Sequence, residues 1–592
     1  MTLTKAFQAI GLLLIFLTSG SIFGQQIQTD PTLKKILDEY YEEGLILDPI
    51  SATIIGDNRF NDQLANTISA PYLKKVHDHN VKYKALLAAF NKGKLSSIDK
   101  ISLAIANDQI EQSLVREKFH LEYMPFDQGF RSLPAAMPSY GSGTGVHPFK
   151  TVKDYEDWLK RMRAFSDWAD TAIANFNKGL AKGMILPQAL VIKMISQMEA
   201  HTTTDTAKNI FYGPARNFPV TFTESERSTM RKQYCNAIVN IIAPTYQKLA
   251  NYLKNDYLPK ARTTSGYNSL PNGGAIYQSL IRYYTTTGLS AEEIYQIGLR
   301  EVERIVRQID VFKNKVGFTG STTVFFEFIR TDKQFFPFKK EEQVLDSFRA
   351  LLPRIEPNLK ALFNIVPKSS FEVRAIEKFK ASSSADNYQP GSEDGSRPGV
   401  FNVRILDPAS YNSAGMESLF SHEAIPGHHF QVSLQMENTF LPKVRRYARF
   451  PVFSEGWGLY AESLGEELGL YQDPYQRVAA LRNEIWRAAR LVVDAGLHTG
   501  KMTREEAIRY LVDNVGLEER IAVSETERYM ADPGQALAYK IGELQIKELR
   551  AKYVKMLGDK FSIRNFHDAV LSGGAMPLNL FKIYMDEWAK RQ

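Results

Sequence analysis

In the stretch Ser421-His-Glu-Ala-Ile-Pro-Gly-His-His-Phe430, three of the chain's ten histidines fall within eight positions, beside Glu423. Imidazoles next to a carboxylate are the material of a zinc site that carries its own general base. A helix presents two such ligands on one face when they stand at i and i+4, as in His-Glu-x-x-His. Here the position four beyond His422 is Pro426, which cannot ligate. Proline removes a backbone donor and crowds the turn before it, so the spacing predicts a helix locally widened at Pro426-Gly427. His422 as a ligand and Glu423 as the group that takes a proton from water place the chemistry on a helix, and the rest of the chain reads the same way.

The second ligand is His428 or His429. Ideal periodicity favours His429, because seven residues return to the same face after two turns. A glycine directly before the second ligand, as in several metallopeptidases of the His-Glu-x-x-His type, favours His428. The remaining histidine then supports the site or faces substrate. Catalytic zinc usually takes three protein ligands and leaves one position open. Phe453-Ser-Glu-Gly-Trp-Gly-Leu-Tyr-Ala-Glu462 offers the third. Glu455 lies 27 residues past His428, enough for a helix to end and another to return. Glu462 shares its face two turns on, as a support or an alternative ligand, and Trp457 and Tyr460 read as packing. In Arg528-Tyr-Met-Ala-Asp-Pro-Gly-Gln-Ala-Leu-Ala-Tyr539, a tyrosine hydroxyl can donate to a developing oxyanion, with Tyr529 and Tyr539 both available. Arg528 can hold a substrate carboxylate. His498 either donates to the oxyanion or caps a helix C-terminus.

Outward from this stretch, helical periodicity dominates and predicts a mainly α fold. Helices are expected over Pro31 to Leu47, Tyr72 to Lys92, Lys100 to Tyr123, Val152 to Lys182 and Glu224 to Asn255. Capping boxes at Ser290-Ala-Glu-Glu293 and Thr503-Arg-Glu-Glu506 open two more. Lys340 to Leu362 is helical, with a kink or break at Pro353 and Pro357. Strand signals are confined to Ser369 to Phe379 and Gly399 to Leu406, separated by a polar loop, Ala381 to Pro398. They form either a core hairpin or a strand whose open edge can hold an extended peptide. Pro138 to Pro148 reads as a surface loop or a lid, with His147 facing solvent.

Lys5, the apolar run Ile10 to Leu17 and the small residues Ser19 to Gly24 read as an export signal, residues 1–24. The apolar run is short for a membrane span, and no cysteine lies near the cleavage point, so no stable membrane anchor is expected once the signal is removed. Residues 25–592 are expected to form one catalytic unit of two lobes, 25–365 and 366–592, in the periplasm or medium. The only cysteine, Cys235, excludes an internal disulfide and reads as a small apolar residue. The net charge of +7 is spread without a basic block, so nucleic acid is not implied.

The runs His422 to Gln431, Phe453 to Glu462 and Arg528 to Gly542, with Leu270 to Tyr277 and Glu301 to Arg304, resemble the bacterial family named domain of unknown function 885 over about residues 30 to 590. That family is similar to zinc metallopeptidases of the gluzincin type, including thermostable-carboxypeptidase-like and peptidyl-dipeptidase-like enzymes. The resemblance implies a large helical fold with a deep cleft between two halves and a small sheet beside the active-site helix. It implies His422, His428 and Glu455 as metal ligands, Glu423 as base, and Tyr539, Tyr529, Arg528 and His498 on the opposite wall. The two-residue extension inside His-Glu-x-x-His departs from the gluzincin pattern. The expectation is a zinc peptidase of short peptides, an exopeptidase of carboxypeptidase- or dipeptidase-like action, with Mn, Co or Fe also suited to the same ligands. A zinc amidase of a modified amino acid and a non-catalytic peptide- or metal-binding protein are the rivals.

Overall fold

The computed structural model describes residues 29–129, 132–381, 385–392 and 397–592. The export-signal reading of residues 1–24 lies outside them, as do parts of the Ala381 to Pro398 loop. Among the described residues, no helix is long and apolar enough to cross a membrane.

The architecture is mainly helical. Helix α1, Val152–Lys182, opens on reciprocal bonds between Thr151 and Asp154 and closes at Gly183, whose φ of 74° suits glycine. Its buried face of Trp158, Leu159, Met162, Phe165 and Trp168 builds one core with Tyr246 and Leu249. Helix α2, Ala291–Lys315, opens on the expected Ser290–Glu293 box. The run from Glu224 stays helical to Tyr257 but passes through two wider turns, Ile238–Ile242 and Leu253–Tyr257. The Lys340 to Leu362 run divides into Glu341–Arg349 and Leu352–Leu362, with Pro353 in the first turn of the second piece, where its missing N–H costs nothing. Pro357 is carried inside that helix.

Three strands follow: β1, Phe371–Ala375; β2, Asn387–Gln389; and β3, Gly399–Val403. The hairpin reading is corrected. β1 and β3 run parallel, from Phe371 opposite Gly399 to Ala375 opposite Val403. β2 pairs antiparallel with β3, Tyr388 opposite Phe401, so the order is β1-β3-β2. β3, read as an open edge, is the central strand; β2 is an edge. Three residues inside a polar stretch are too few for a strand period to register.

The site is carried by six helices: α3, Met416–Glu423; α4, His428–Glu437; α5, Pro451–Ser463; α6, Pro474–Thr499; α7, Glu519–Ala531; and α8, Ala538–Leu557. α5 crosses α8 at a glycine pair. A Cβ on Gly456 would stand 2.5 Å from Gly542, and one on Gly542 would stand 1.8 Å from the Val452 carbonyl oxygen. The largest core takes side chains from both sides of residue 365, among them Tyr277, Phe348, Phe401, Phe420, Phe453 and Trp457, and α2 packs along α6 across that position.

The expectation for His147 is overturned. It is buried, its Nε2–H donates to the Asp154 carbonyl at 2.9 Å and its Nδ1 accepts from Arg161 at 3.0 Å. Burial lowers its pKa to about 4, so it is a neutral packing residue. The loop reading of Pro138 to Pro148 is also partly replaced, because Leu133–Tyr140 is helical and carries Pro138 inside it.

Candidate metal centre

The sequence between the histidines does not form a widened helix. α3 ends at Glu423, Ala424 leaves the helical region at φ −107° and ψ −101°, and α4 begins afresh at His428. The Ile425-Pro426 peptide in the connection is cis. Gly427 has no room for a side chain: a Cβ there would stand 1.9 Å from the His422 carbonyl oxygen. Trp457 on α5 holds the turn by donating its Nε1–H to the Pro426 carbonyl at 2.8 Å. Helical periodicity therefore cannot be carried from His422 to His429, and the argument that favoured His429 as a ligand fails for that reason.

His428 is the histidine that joins His422. The two rings stand edge to face, 4.7 Å between centroids. Glu455 Oε2 lies 3.5 Å from His422 Nε2 and 3.5 Å from His428 Nε2. A tetrahedral zinc ion with bonds of about 2.1 Å keeps its donor atoms about 3.4 Å apart, so the residues present fit that group. Glu423 belongs to the same cluster: its carboxylate and one nitrogen each of His422 and His428 lie within 4.8 Å of one another. Behind the cluster, Glu462 Oε1 accepts from His422 Nδ1 at 2.8 Å, which leaves Nε2 aimed at the centre. The His422 ring rests on Gly458, where a Cβ would stand 2.7 Å from Cε1. One face of α5 thus holds His422 from three directions.

The electrostatics follow from this packing. Burial opposes the charge on His422, but Glu455 and Glu462 override it and lift its pKa to about 10. Burial likewise opposes ionisation of Glu455, yet His422 and His428 hold it well below the usual carboxylate range. Glu423 is different: burial dominates and raises its pKa, against the neighbouring histidines and a bond from the Tyr388 backbone N–H. A carboxylate made more basic beside a ligand cluster is suited to accept a proton.

The other sequence candidates divide. Tyr539 keeps some exposure, and burial, then Glu455, raises its pKa, so it stays protonated and stands in reach of the centre's field. Tyr529 is fully buried. Its hydroxyl donates to Glu525 at 2.7 Å and accepts from Arg490 Nε at 3.1 Å and Trp486 Nε1 at 3.3 Å, which leaves nothing for substrate. Arg528 is engaged by two bonds to Glu525, at 3.1 and 2.9 Å, and by one to Gln535 at 2.7 Å. His498 accepts from the Tyr267 N–H at 3.2 Å and donates to the Tyr529 carbonyl at 3.0 Å. Burial lowers its pKa to about 3; it is a neutral brace with no free nitrogen, neither an oxyanion donor nor a charged cap. His429 turns to the sheet, 5.0 Å from the Phe371 ring and bonded to the Tyr388 hydroxyl at 3.0 Å, so it is placed neither as a ligand nor to touch substrate.

Sequence reasoning missed Tyr388, which ties β2 to both Glu423 and His429, and missed Arg487 and Arg490 on α6. A signal for Arg490 existed: with Asp494 it interrupts the otherwise apolar run from Ala488 to Leu497. Tyr388 had none, because its strand is hidden in a polar stretch.

The family described as "Bacterial protein of unknown function (DUF885)" matches residues 49–584. No curated protein matches the chain. Among the similar solved structures are two, each described as a "putative lipoprotein". The one from Colwellia psychrerythraea is 26% identical, with a TM-score of 0.89, and the match covers 96% of this chain and 100% of that one. The one from Shewanella oneidensis, described as of unknown function, is 18% identical, with a TM-score of 0.71, over 93% and 99% of the two chains.

Proposed function

We propose that this chain, which belongs to the bacterial family of unknown function DUF885, is an exported zinc-dependent peptidase of short peptides. One observation carries the reading: His422 Nε2 and His428 Nε2 each lie 3.5 Å from Glu455 Oε2, with the basic, buried carboxylate of Glu423 beside them. A zinc ion held there would supply Lewis acidity to a water and to the scissile carbonyl. Glu423 takes the proton from that water and returns it to the leaving amine. The Tyr539 hydroxyl, protonated at neutral pH, donates to the carbonyl oxygen as charge develops on it. Glu462 keeps His422 in the tautomer that offers Nε2.

The edge of the sheet supports a peptide as substrate. Among the described residues β2 has β3 on one side and no further strand on the other, and its Tyr388 backbone acts on the Glu423 carboxylate. An extended chain laid along this edge passes the base. The signal-like first residues, with two neighbours each described as a "putative lipoprotein", support export.

The test is a mixed pool of short peptides incubated with metal-stripped protein before and after one equivalent of zinc, with products read by mass. Cleavage should return with zinc. Glu423→Gln should bind zinc with the same stoichiometry and lose about 10²–10⁴ in turnover. Intact peptides with zinc bound, or a Glu423→Gln variant as fast as the parent, would overturn the reading.

A further inference from the structure

Three guanidinium groups, Arg487, Arg490 and Arg528, act on Tyr539. Arg487 and Arg490 stand one turn apart on α6 and so share a face. The Arg490 guanidinium lies 4.6 Å from the centroid of the Tyr539 ring and 5.2 Å from that of Trp486. Its Nε donates to the Tyr529 hydroxyl and its Nη2 reaches Glu525 at 3.3 Å. Its Nη1 is buried and meets no acceptor among the described residues, and the residue is only 7% exposed. Arg487 shows the same pattern. It donates to the Asn483 carbonyl at 3.1 Å, stands 3.9 Å from Glu462, and leaves Nε buried without a partner. Arg528 is a third guanidinium close by. Glu525 binds Arg490 and Arg528, and Glu462, which also accepts from His422, stands 3.9 Å from Arg487. Tyr539 feels the negative charge of Glu455 and the positive charges of Arg490, Arg528 and Arg487, so one side chain senses both a proposed metal ligand and the arginines.

A buried guanidinium with an unmet N–H is unfavourable until an anion arrives, and its planar fork matches a carboxylate. We propose, on the basis of the peptidase reading, that Arg490, flanked by Arg487, receives the free C-terminal carboxylate of the substrate next to Tyr539, so that the enzyme works from the C-terminal end of its peptides. The role that sequence reasoning assigned to Arg528 passes to α6, because each guanidinium nitrogen of Arg528 already makes a bond to Glu525 or Gln535, whereas Nη1 of Arg490 makes none among the described residues.

The probes are N-acetyl-trialanine with a free carboxylate and its C-terminal amide. Calorimetry on zinc-loaded Glu423→Gln protein measures binding without turnover. The acid should bind at least about 30-fold more tightly than the amide. Adding Arg490→Gln should bring the two within about 3-fold, and Arg490→Lys should keep part of the preference, since the charge remains and the fork is lost. Unchanged zinc content and circular dichroism separate this from misfolding, which would weaken both ligands together. Equal affinity for acid and amide, no binding of the acid, or a preference that survives Arg490→Gln would each overturn the proposal. Cleavage by the parent protein separates it from the reading on which it rests: acid and amide cut alike leave the peptidase standing and remove the carboxylate site. Selective binding of the acid without cleavage does the reverse.

Discussion

At the scale of single residues, the same residue type has opposite fates a few positions apart. Tyr529, fully buried, and Tyr539, half-buried, are both phenols that keep their protons, and their partners set them apart. Tyr529 closes a set of bonds with Glu525, Arg490 and Trp486, while Tyr539 lies against the Arg490 guanidinium and feels the charge of Glu455. Tyr539→Phe is therefore expected to lower kcat by about 10²–10³, the usual effect of losing one oxyanion donor, with zinc affinity and folding unchanged. Tyr529→Phe should act in the other direction, costing about 1–3 kcal/mol of stability through the groups it leaves unpaired, with kcat on short peptides within a few-fold of the parent. Steady-state kinetics and denaturant titration on the two variants settle the assignment, and an exchange of these phenotypes would reverse it.

At the scale of elements, glycines rather than charged residues set the geometry of the centre. Gly427 lets α3 and α4 meet in a turn too tight for a Cβ, and Gly456 with Gly542 lets α5 approach α8 backbone to backbone. Gly458 seats the His422 ring between Glu455 and Glu462. Gly458→Ala adds one methyl group against a ligand gripped at both nitrogens, so the ring must move. The expected outcome is a loss of zinc affinity of 10-fold or more, the scale on which displaced supporting contacts act, measured by competition with a chelator. A parent-like zinc affinity would mean that α5 yields to the methyl group and does not fix the ligand.

At the scale of the whole molecule, α6 binds the site to the rest of the fold. It carries Arg487 and Arg490 toward the centre, and its Asp494 accepts from Tyr277 at 2.6 Å and from the Gly534 N–H at 3.1 and 3.0 Å, which anchors the turn before α8. Burial raises the pKa of Asp494 to about 7, against the bonds from Tyr277 and Gly534. The unfolded value is about 3.9, so the folded chain holds this proton more tightly than the unfolded one. The contribution is then fully favourable below about pH 4, is lost progressively as pH rises through about 7, and is constant above that. Asp494→Asn removes the titration. The stability of the variant relative to the parent should rise between pH 4.5 and 7.5, by up to about 4 kcal/mol, in paired denaturant titrations. Parallel pH profiles for the two proteins would exclude Asp494 as the source.

What the sequence determined by itself was local. Apolar spacing and capping boxes such as Ser290–Glu293 and Thr503–Glu506 are contained within a few residues: α1 spans the range that its spacing predicts, and helices open at both boxes. The cluster of His422, Glu423 and His428 was legible for the same reason, as was Glu455 with Glu462 behind it, two turns away on one helix face. The choice between His428 and His429 was not, because it depends on how the chain turns at Pro426, and periodicity has no meaning across a break between two helices. Arg528 and Tyr529 read as functional from their chemistry, yet their donors and acceptors are taken by Glu525, Gln535, Arg490 and Trp486, partners that only packing of α6 against α7 and α8 could reveal. Tyr388 and Arg490 entered the site the same way. A side chain's identity states which bonds it can make; the tertiary structure decides which of them are already made, and so which groups remain open to a metal or a substrate.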